Sequence, residues 1–365
     1  MYENIRPLYD SELSDAFRQI VASPFFEPVV RFVYPGEDVG KVAERLMRIT
    51  DIRTMQDTIM RAGIKRILDC SVSNFTFSGM DALTHGRPYL FISNHRDITL
   101  DAFLLQYVLF DYNDLYITFG ANLMQDPVIT LIGRANRMFR VERGGTPKEF
   151  YRNMLQVSSY IRHVIVGQKN SVWIAQRNGR TKDGIDRTEV SLLKMLALSG
   201  HATRQNPLAA LKSLNIVPVS ISYEWEPCDC LKARELHLRS QGPYRKSPGE
   251  DMNSVLTGIS QPKGHVHLSV TAPVSDEELD RCSDTDSPFE NLAALIDRRI
   301  CTAYRLHPTN YVAYDIKHNN NGFADKYTAE QRACFCAHLS KVDAVEKDIL
   351  LDIYSNPVDH LHSCY

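Results

Sequence analysis

The sequence has no long apolar run, and its most apolar stretch, Ala102 to Phe110, is bracketed by Asp101 and Asp111. That falls short of the roughly 18 residues a membrane-spanning helix needs, so the chain is not expected to cross a bilayer. It also lacks an excess of either charge, with 42 Lys and Arg against 44 Asp and Glu and a net charge of −2. Such a balance gives no general field for a polyanion, which argues against nucleic acid and leaves room only for a local basic cleft. The opening segment MYENIRPLYDSEL mixes acids and bases. Without the apolar core and small-residue cleavage site of a signal peptide, it predicts a cytosolic, reducing setting. The eight cysteines (70, 228, 230, 282, 301, 334, 336 and 364) are scattered rather than framed as in a small secreted domain. Cys228-x-Cys230 and Cys334-x-Cys336, with His338 close behind, hint at a metal, but the C-x-x-C pairing of a zinc knuckle is missing and buried free thiols are the simpler expectation.

The usual chemical devices are missing as well. There is no G-x-G-x-x-G, no G-x-x-x-x-G-K-[ST], no H-E-x-x-H and no G-x-S-x-G, which removes the common nucleotide, metalloprotease and serine-hydrolase signatures. No internal repeat is visible, and low complexity is confined to Asn319–Asn321, read as a surface loop.

What is present is an ordinary globular composition, 44% apolar and 24% charged, over 365 residues. At roughly 150 residues per domain this is about two domains, or one large α/β domain with an appendage. Residues 10 to 70 carry Val42, Leu46 and Ile49, then Met55, Ile59, Ile64 and Leu68, near helical spacing, with a break at Pro35-Gly36 and a possible cap at Asp51. From about Phe75 short apolar strands alternate with amphipathic helices. The strands are expected at 89–93, 115–119, 171–175, 215–222 and 265–270; helices are expected from Ile98 to Phe110 and along the stripe Phe150, Met154, Val157, Ile161 and Ile165. This alternation predicts an α/β fold with a largely parallel central sheet flanked by helices. The polar segment 223–264 reads as an excursion from the sheet, and 287–304 and 327–354 read as helices. We expect a helical region at 1–70, an α/β domain at 71–275 and a helical extension at 276–365.

Chemistry concentrates where FISNHRDITLDAFLL (91–105) passes from strand to helix, because α/β folds open their sites at the carboxyl ends of strands. Asp97 is suited to cap a helix starting at Ile98, leaving His95 just outside and Asp101 facing back toward it. A carboxylate on one ring nitrogen fixes the tautomer and leaves the other nitrogen as a general base toward a hydroxyl. A satisfied histidine at a strand end is the competing reading. Two further clusters follow other strands, Arg137 to Gly145 and 175–184. Their Arg140, Arg143, Arg177, Arg180 and Lys182, with interspersed glycines, suit a phosphate. Each alone is equally compatible with a solvated turn.

This order of segments resembles the glycerophospholipid acyltransferase family, over roughly residues 75 to 275. Asn94-His95 through Asp101 resembles its first block, whose histidine and aspartate form the catalytic pair. Val141-Glu142-Arg143-Gly144 is similar to the second, whose arginine helps hold the acceptor phosphate. Asn178-Gly179-Arg180 falls where the third has Glu-Gly followed closely by Arg, and Ile216-Val217-Pro218-Val219 resembles the fourth. Gly264 to His267, followed by Ala272-Pro273-Val274, resembles the closing strand and turn. Two departures stand out. Five residues separate His95 from Asp101 where the family has four, a spacing shared by bacterial sequences reading N-H-R-D-I-x-L-D, with Asp97 a second candidate for the orienting acid. Asn178 replaces the glutamate and carries no charge.

The resemblance implies an O-acyltransferase in phospholipid biosynthesis, carrying a fatty acyl group from acyl-CoA or acyl carrier protein to lysophosphatidic acid, glycerol 3-phosphate or a related lysolipid. His95 would be the base and Asp101 or Asp97 its orienting acid. Arg143, Asn178, Gly179, Arg180 and Lys182 would bind substrate, and no metal or other cofactor is implied. A membrane-borne acceptor implies peripheral docking at the inner face of the cytoplasmic membrane, with Phe25 to Val33 as one surface. A lipid-binding protein without turnover and an acyltransferase for an aminoacyl lysolipid are the alternatives.

Overall fold

Strand β2 (Leu90–Ser93) is buried throughout, and apolar but for its last residue, because both of its faces are covered. Leu90 and Ile92 point into a core shared with helices Pro147–Arg162, Val190–Ala197 and Pro288–Ala303. Phe91 points the other way, into a core with helices Arg61–Ser71 and Leu100–Leu109. Such double burial is what makes interior strands of a parallel sheet read as continuous apolar runs. The structure, a computed structural model, describes residues 2–363 except 124, 125, 143, 202, 204 and 205.

Around β2 the sheet continues with β1 (Val72–Ser78), β3 (Leu115–Gly120), β4 (Met138–Val141), β5 (Ser171–Ala175), β6 (Ile216–Tyr223) and β7 (Gly264–Val270), in the order β1-β7-β6-β2-β5-β3-β4. Every neighbouring pair is parallel except β6 and β7, so β1 and β7 run against the other five. The largely parallel α/β architecture expected from the sequence is therefore the fold. Among the described residues, the five anticipated strands form within a residue or two of their expected ends. The two without a clear apolar signature, β1 and β4, are the edge strands.

Helices also form cores outside the sheet. Leu13, Phe17, Ile20, Leu46, Ile49, Ile52 and Met55 form an N-terminal core of their own, and Val312, Phe335, Leu350, Ile353 and Tyr354 a C-terminal one. The polar segment after β6 is not simply irregular: it folds as helices Asp229–Gln241 and Glu250–Ser260 before the chain returns as β7. The loop between β5 and helix Val190–Ala197 is clamped from the C-terminal side. Gly184 there has φ +79°, and a Cβ would lie 2.3 Å from the carbonyl oxygen of Ile353, so only glycine permits this approach.

The same loop is tied to helix Pro288–Ala303, where Asp297 Oδ1 accepts the Thr188 amide (2.7 Å) and hydroxyl (2.6 Å). Burial pushes the Asp297 carboxyl up to about 6 from 3.8, with nearby Asp186 adding to the shift. A carboxyl raised in the folded state favours the fold when protonated; that stabilisation is full below about pH 4 and lost as pH rises through 6. Asp297→Asn keeps an acceptor for Thr188 and removes the charge. The substitution is expected to flatten the pH dependence of stability between 4 and 6 and to stabilise the protein at pH 8 by up to about 3 kcal/mol. Denaturant unfolding at pH 4.5 and 8 checks this, and an unchanged pH dependence would refute it.

Candidate active site

The loop leaving β2 is shaped by one carboxylate. Asp101, the second residue of helix Leu100–Leu109, turns back so that its Oδ2 accepts the backbone amides of Arg96 (2.6 Å) and Asp97 (3.0 Å) and the Nδ1 of His95 (2.9 Å). Its Oδ1 accepts the hydroxyl of Tyr223, from the end of β6, at 2.7 Å. The Asp101 side chain is 0% exposed and that of His95 13%. A carboxylate only accepts, so Nδ1 carries the proton and Nε2 presents a lone pair. Nε2 has no protein partner among the described residues, and the ring stands edge-on to Trp173 at 5.7 Å. The arrangement is equipped for general-base chemistry on a hydroxyl.

The helix begins at Leu100, two residues later than the expected Ile98. Asp97 still serves as its cap, with Oδ1 accepting the amides of Thr99 and Leu100, both at 2.8 Å. The intervening turn explains the longer histidine–aspartate spacing: the extra residue is taken up before the helix starts, and Asp101 still reaches the imidazole. Asp97 makes no bond to His95. Its Oδ2 is buried without a partner beneath Gly258 of helix Glu250–Ser260, where a Cβ would lie 2.2 Å away. That polar-looking excursion thus packs directly over the histidine loop.

Behind the loop lies a buried ionic network that sequence reasoning missed. Arg96 is fully buried and donates to Asp186 (2.7 Å), to Glu226 (3.3 Å) and to the carbonyl of Gly184 (3.2 Å). Lys232 donates to the Arg96 carbonyl (2.7 Å) and to Glu226 (2.6 Å). Asn94 binds Asp186 and both backbone groups of Ile221. Tyr354 closes the network from the C-terminal side, accepting the Glu226 amide and donating to Asp229. The only sequence signals were a charged pair inside an apolar strand–helix junction and, for Tyr223, the alternation Val217, Val219, Ile221, Tyr223 along one strand face.

The basic residues expected to meet a phosphate are distributed unequally. The 178–182 loop is brought to the histidine by the Thr181 amide, which donates to the His95 carbonyl at 2.7 Å. Within it Asn178 is exposed and Gly179 takes φ +80°. Arg180 is buried, and its Nη1 has no partner. Arg177 likewise has a buried Nε without a partner. Lys182 is paired with Glu235, which also holds Arg239 at 2.7 Å; burial lowers its ammonium to about 8 against the pull of Glu235. Arg140 is paired with Glu142 at 2.6 Å, and Arg143 lies outside the described residues. Away from this site the fold unites parts of the two cysteine motifs: Asp229, Cys230 and His338 bring their ligand atoms within 4.8 Å of one another. There Asp229 is already occupied by His338 at 2.5 Å, Tyr354, Gln261 and the Cys230 amide.

The carboxylate-held histidine lies at the carboxyl end of the central strand of a mostly parallel sheet, where α/β folds open their sites. Residues 74–222, from within β1 to the penultimate residue of β6, match the family described as Acyltransferase, so this stretch of the chain is an acyltransferase domain. No curated protein matches it. The crystal structure of the 1-acyl-sn-glycerophosphate (LPA) acyltransferase from Thermotoga maritima aligns over 77% of this chain and 94% of that one, at 15% identity and a TM-score of 0.38.

His95→Ala is expected to lower turnover by ~10²–10⁴, as for a general base, while leaving the fold intact, because Asp101 keeps the Arg96 and Asp97 amides and the Tyr223 hydroxyl. Asp101→Asn should cost more activity than Asp97→Asn, since an asparagine at a cap still accepts both amides. Turnover numbers and melting curves of the three variants check both statements; the reverse ranking of the aspartates would move the orienting role to Asp97.

Proposed function

We propose that this acyltransferase moves a fatty acyl group from a thioester of coenzyme A or acyl carrier protein to a hydroxyl of lysophosphatidic acid, glycerol 3-phosphate or a related lysolipid. The observation that carries the reading is the open Nε2 of a His95 oriented by Asp101, beside a loop whose Arg180 guanidinium has a buried nitrogen without a partner. His95 takes the acceptor's hydroxyl proton as the oxygen attacks the thioester carbonyl. The tetrahedral adduct then collapses, the carbon–sulfur bond breaks, and the thiolate leaves with the proton returned by the imidazolium. Arg180, with Arg143 and the Asn178-Gly179 turn, would hold the acceptor phosphate; the pairing of Lys182 with Glu235 makes it the weaker partner.

Purified protein incubated with labelled acyl-CoA, or acyl carrier protein thioester, and each acceptor in turn tests the reading. Product with a phosphorylated acceptor supports it, binding without product would favour a lipid-binding protein, and product with an aminoacyl lysolipid alone would change the acceptor class. Arg180→Ala should raise KM for the phosphorylated acceptor roughly ten- to a hundred-fold, as expected for a charge-assisted contact worth on the order of 1.5–3 kcal/mol, and leave KM for the donor near wild type. Equal effects on both saturation curves would indicate a structural fault instead.

A membrane-borne acceptor calls for access to a lipid surface, and no helix among the described residues is long and apolar enough to cross one. Helix Phe26–Val33 is the proposed contact at the inner face of the cytoplasmic membrane. It buries Val30 but leaves Val29 and Phe32 exposed at 50% and 37%, with Phe25 just before it exposed at 52%. Its Arg31 is paired with Glu27, so docking should proceed by apolar insertion with little salt dependence. Replacing Phe25 and Phe32 together by serine is expected to abolish sedimentation with phospholipid vesicles at both about 0.05 and about 0.5 M salt, concentrations that bracket the screening range. Retained sedimentation would assign the contact elsewhere.

A further inference from the structure

The hydrogen bonds around Asp101 are unevenly divided. Three donors converge on Oδ2, while Oδ1 has one, the Tyr223 hydroxyl. A carboxylate held at one oxygen alone retains a rotation that alters the direction of the lone pairs facing Nδ1. Fixing the second oxygen removes that freedom. Tyr223 is well placed for this, because it is the last residue of β6, a strand paired on one side with β2 and on the other with β7. Its ring packs in the core that also contains Leu100, Leu104 and Trp173. The hydroxyl thus comes from a rigid element, whereas the two amide donors belong to the loop itself.

We propose that Tyr223 is a positioning residue of the catalytic pair: its hydroxyl fixes the plane of the Asp101 carboxylate and tempers how strongly that carboxylate holds the imidazolium of His95. This rests on the reading of His95 as base and Asp101 as its orienting acid. The charged groups facing this phenol are Asp101 and Asp97 from the histidine loop and Glu226 just beyond β6, with Arg96 on the far side of Glu226. Burial, followed by these carboxylates, holds the phenol far above its ordinary range, so it remains a neutral donor throughout the working range of pH. Removing the donor leaves more charge on Asp101 for the imidazolium. The base then becomes protonated at higher pH, and the acid side of the activity profile moves upward.

The test compares wild type, Tyr223→Phe, Asp101→Asn and the double variant for kcat, both KM values and the pH dependence of kcat/KM. Tyr223→Phe is expected to lower kcat roughly ten-fold, to leave both KM values near wild type, and to move the acid limb up by about half a pH unit. In the Asp101→Asn background the same change should have no further effect, because the group it acts through is gone. Wild-type kcat and an unmoved limb in Tyr223→Phe, with Asp101→Asn impaired, would overturn the role of Tyr223 and leave the pair standing. Wild-type turnover in Asp101→Asn would instead overturn the pair. An equal loss from Tyr223→Phe in both backgrounds would show a packing effect and also overturn the proposal. Should Tyr223→Phe fail to fold, a ring-fluorinated tyrosine incorporated at position 223 keeps the ring and strengthens the donor. The acid limb should then move down, and an unmoved limb would overturn the proposal.

Discussion

The site depends on the matching of one buried cation. Taking the Arg96 guanidinium out of water costs several kcal/mol unless its donors find partners. Those partners come from well-separated segments: Gly184 and Asp186 beyond β5, and Glu226 beyond β6. Satisfying this one residue gathers the carboxyl ends of β2, β5 and β6 around a single point, with Asn94 pinning β2 to β6 and to Asp186. The histidine loop is therefore held from behind by charge and from above by the approach of Gly258 to Asp97. The 178–182 loop, with its basic residues, is carried against His95 by the same closure.

This arrangement explains which parts of the molecule could be read in advance. The interior strands were legible because burial on both faces demands unbroken apolar runs, as in 89–93 and 171–175. β1 and β4 lie at the two edges of the sheet. Their partly exposed faces admit polar residues, Ser73 and Asn74 in β1 and Arg140 in β4, and the apolar signal weakens. Helices were legible by periodicity, but the start of Leu100–Leu109 was misplaced because Asp97 caps it across a turn of two residues rather than from the adjacent position.

The histidine and its aspartate were legible as a local constellation, and the resemblance supplied their order. Their supports were not. Arg96, Asp186, Glu226 and Lys232 read as surface residues in any single-sequence argument, since charged side chains are rarely fully buried unless paired, and the pairing spans up to 136 positions. Tyr223 and Tyr354 likewise read as ordinary core aromatics until the fold brings their hydroxyls to Asp101 and Asp229. Lys182 shows the opposite error: a lysine in a basic turn reads as available for a ligand, yet Glu235, more than fifty positions away, already engages it.

The β1–β7 ladder, which sets Val72 beside Gly264, has a consequence for the order in which the protein becomes active. Most of the sheet can pair as the chain lengthens, but β1 must wait for a strand almost two hundred positions later, and Tyr354 must arrive later still to complete the network behind Arg96. Long-range pairings of this kind form slowly, because loop closure precedes the contacts that reward it. On a ribosome, His95 and Asp101 would therefore be made early, gain their supports from beyond β5 and β6 only once more than half of the 365 residues exist, and have Tyr354 complete the network behind them last.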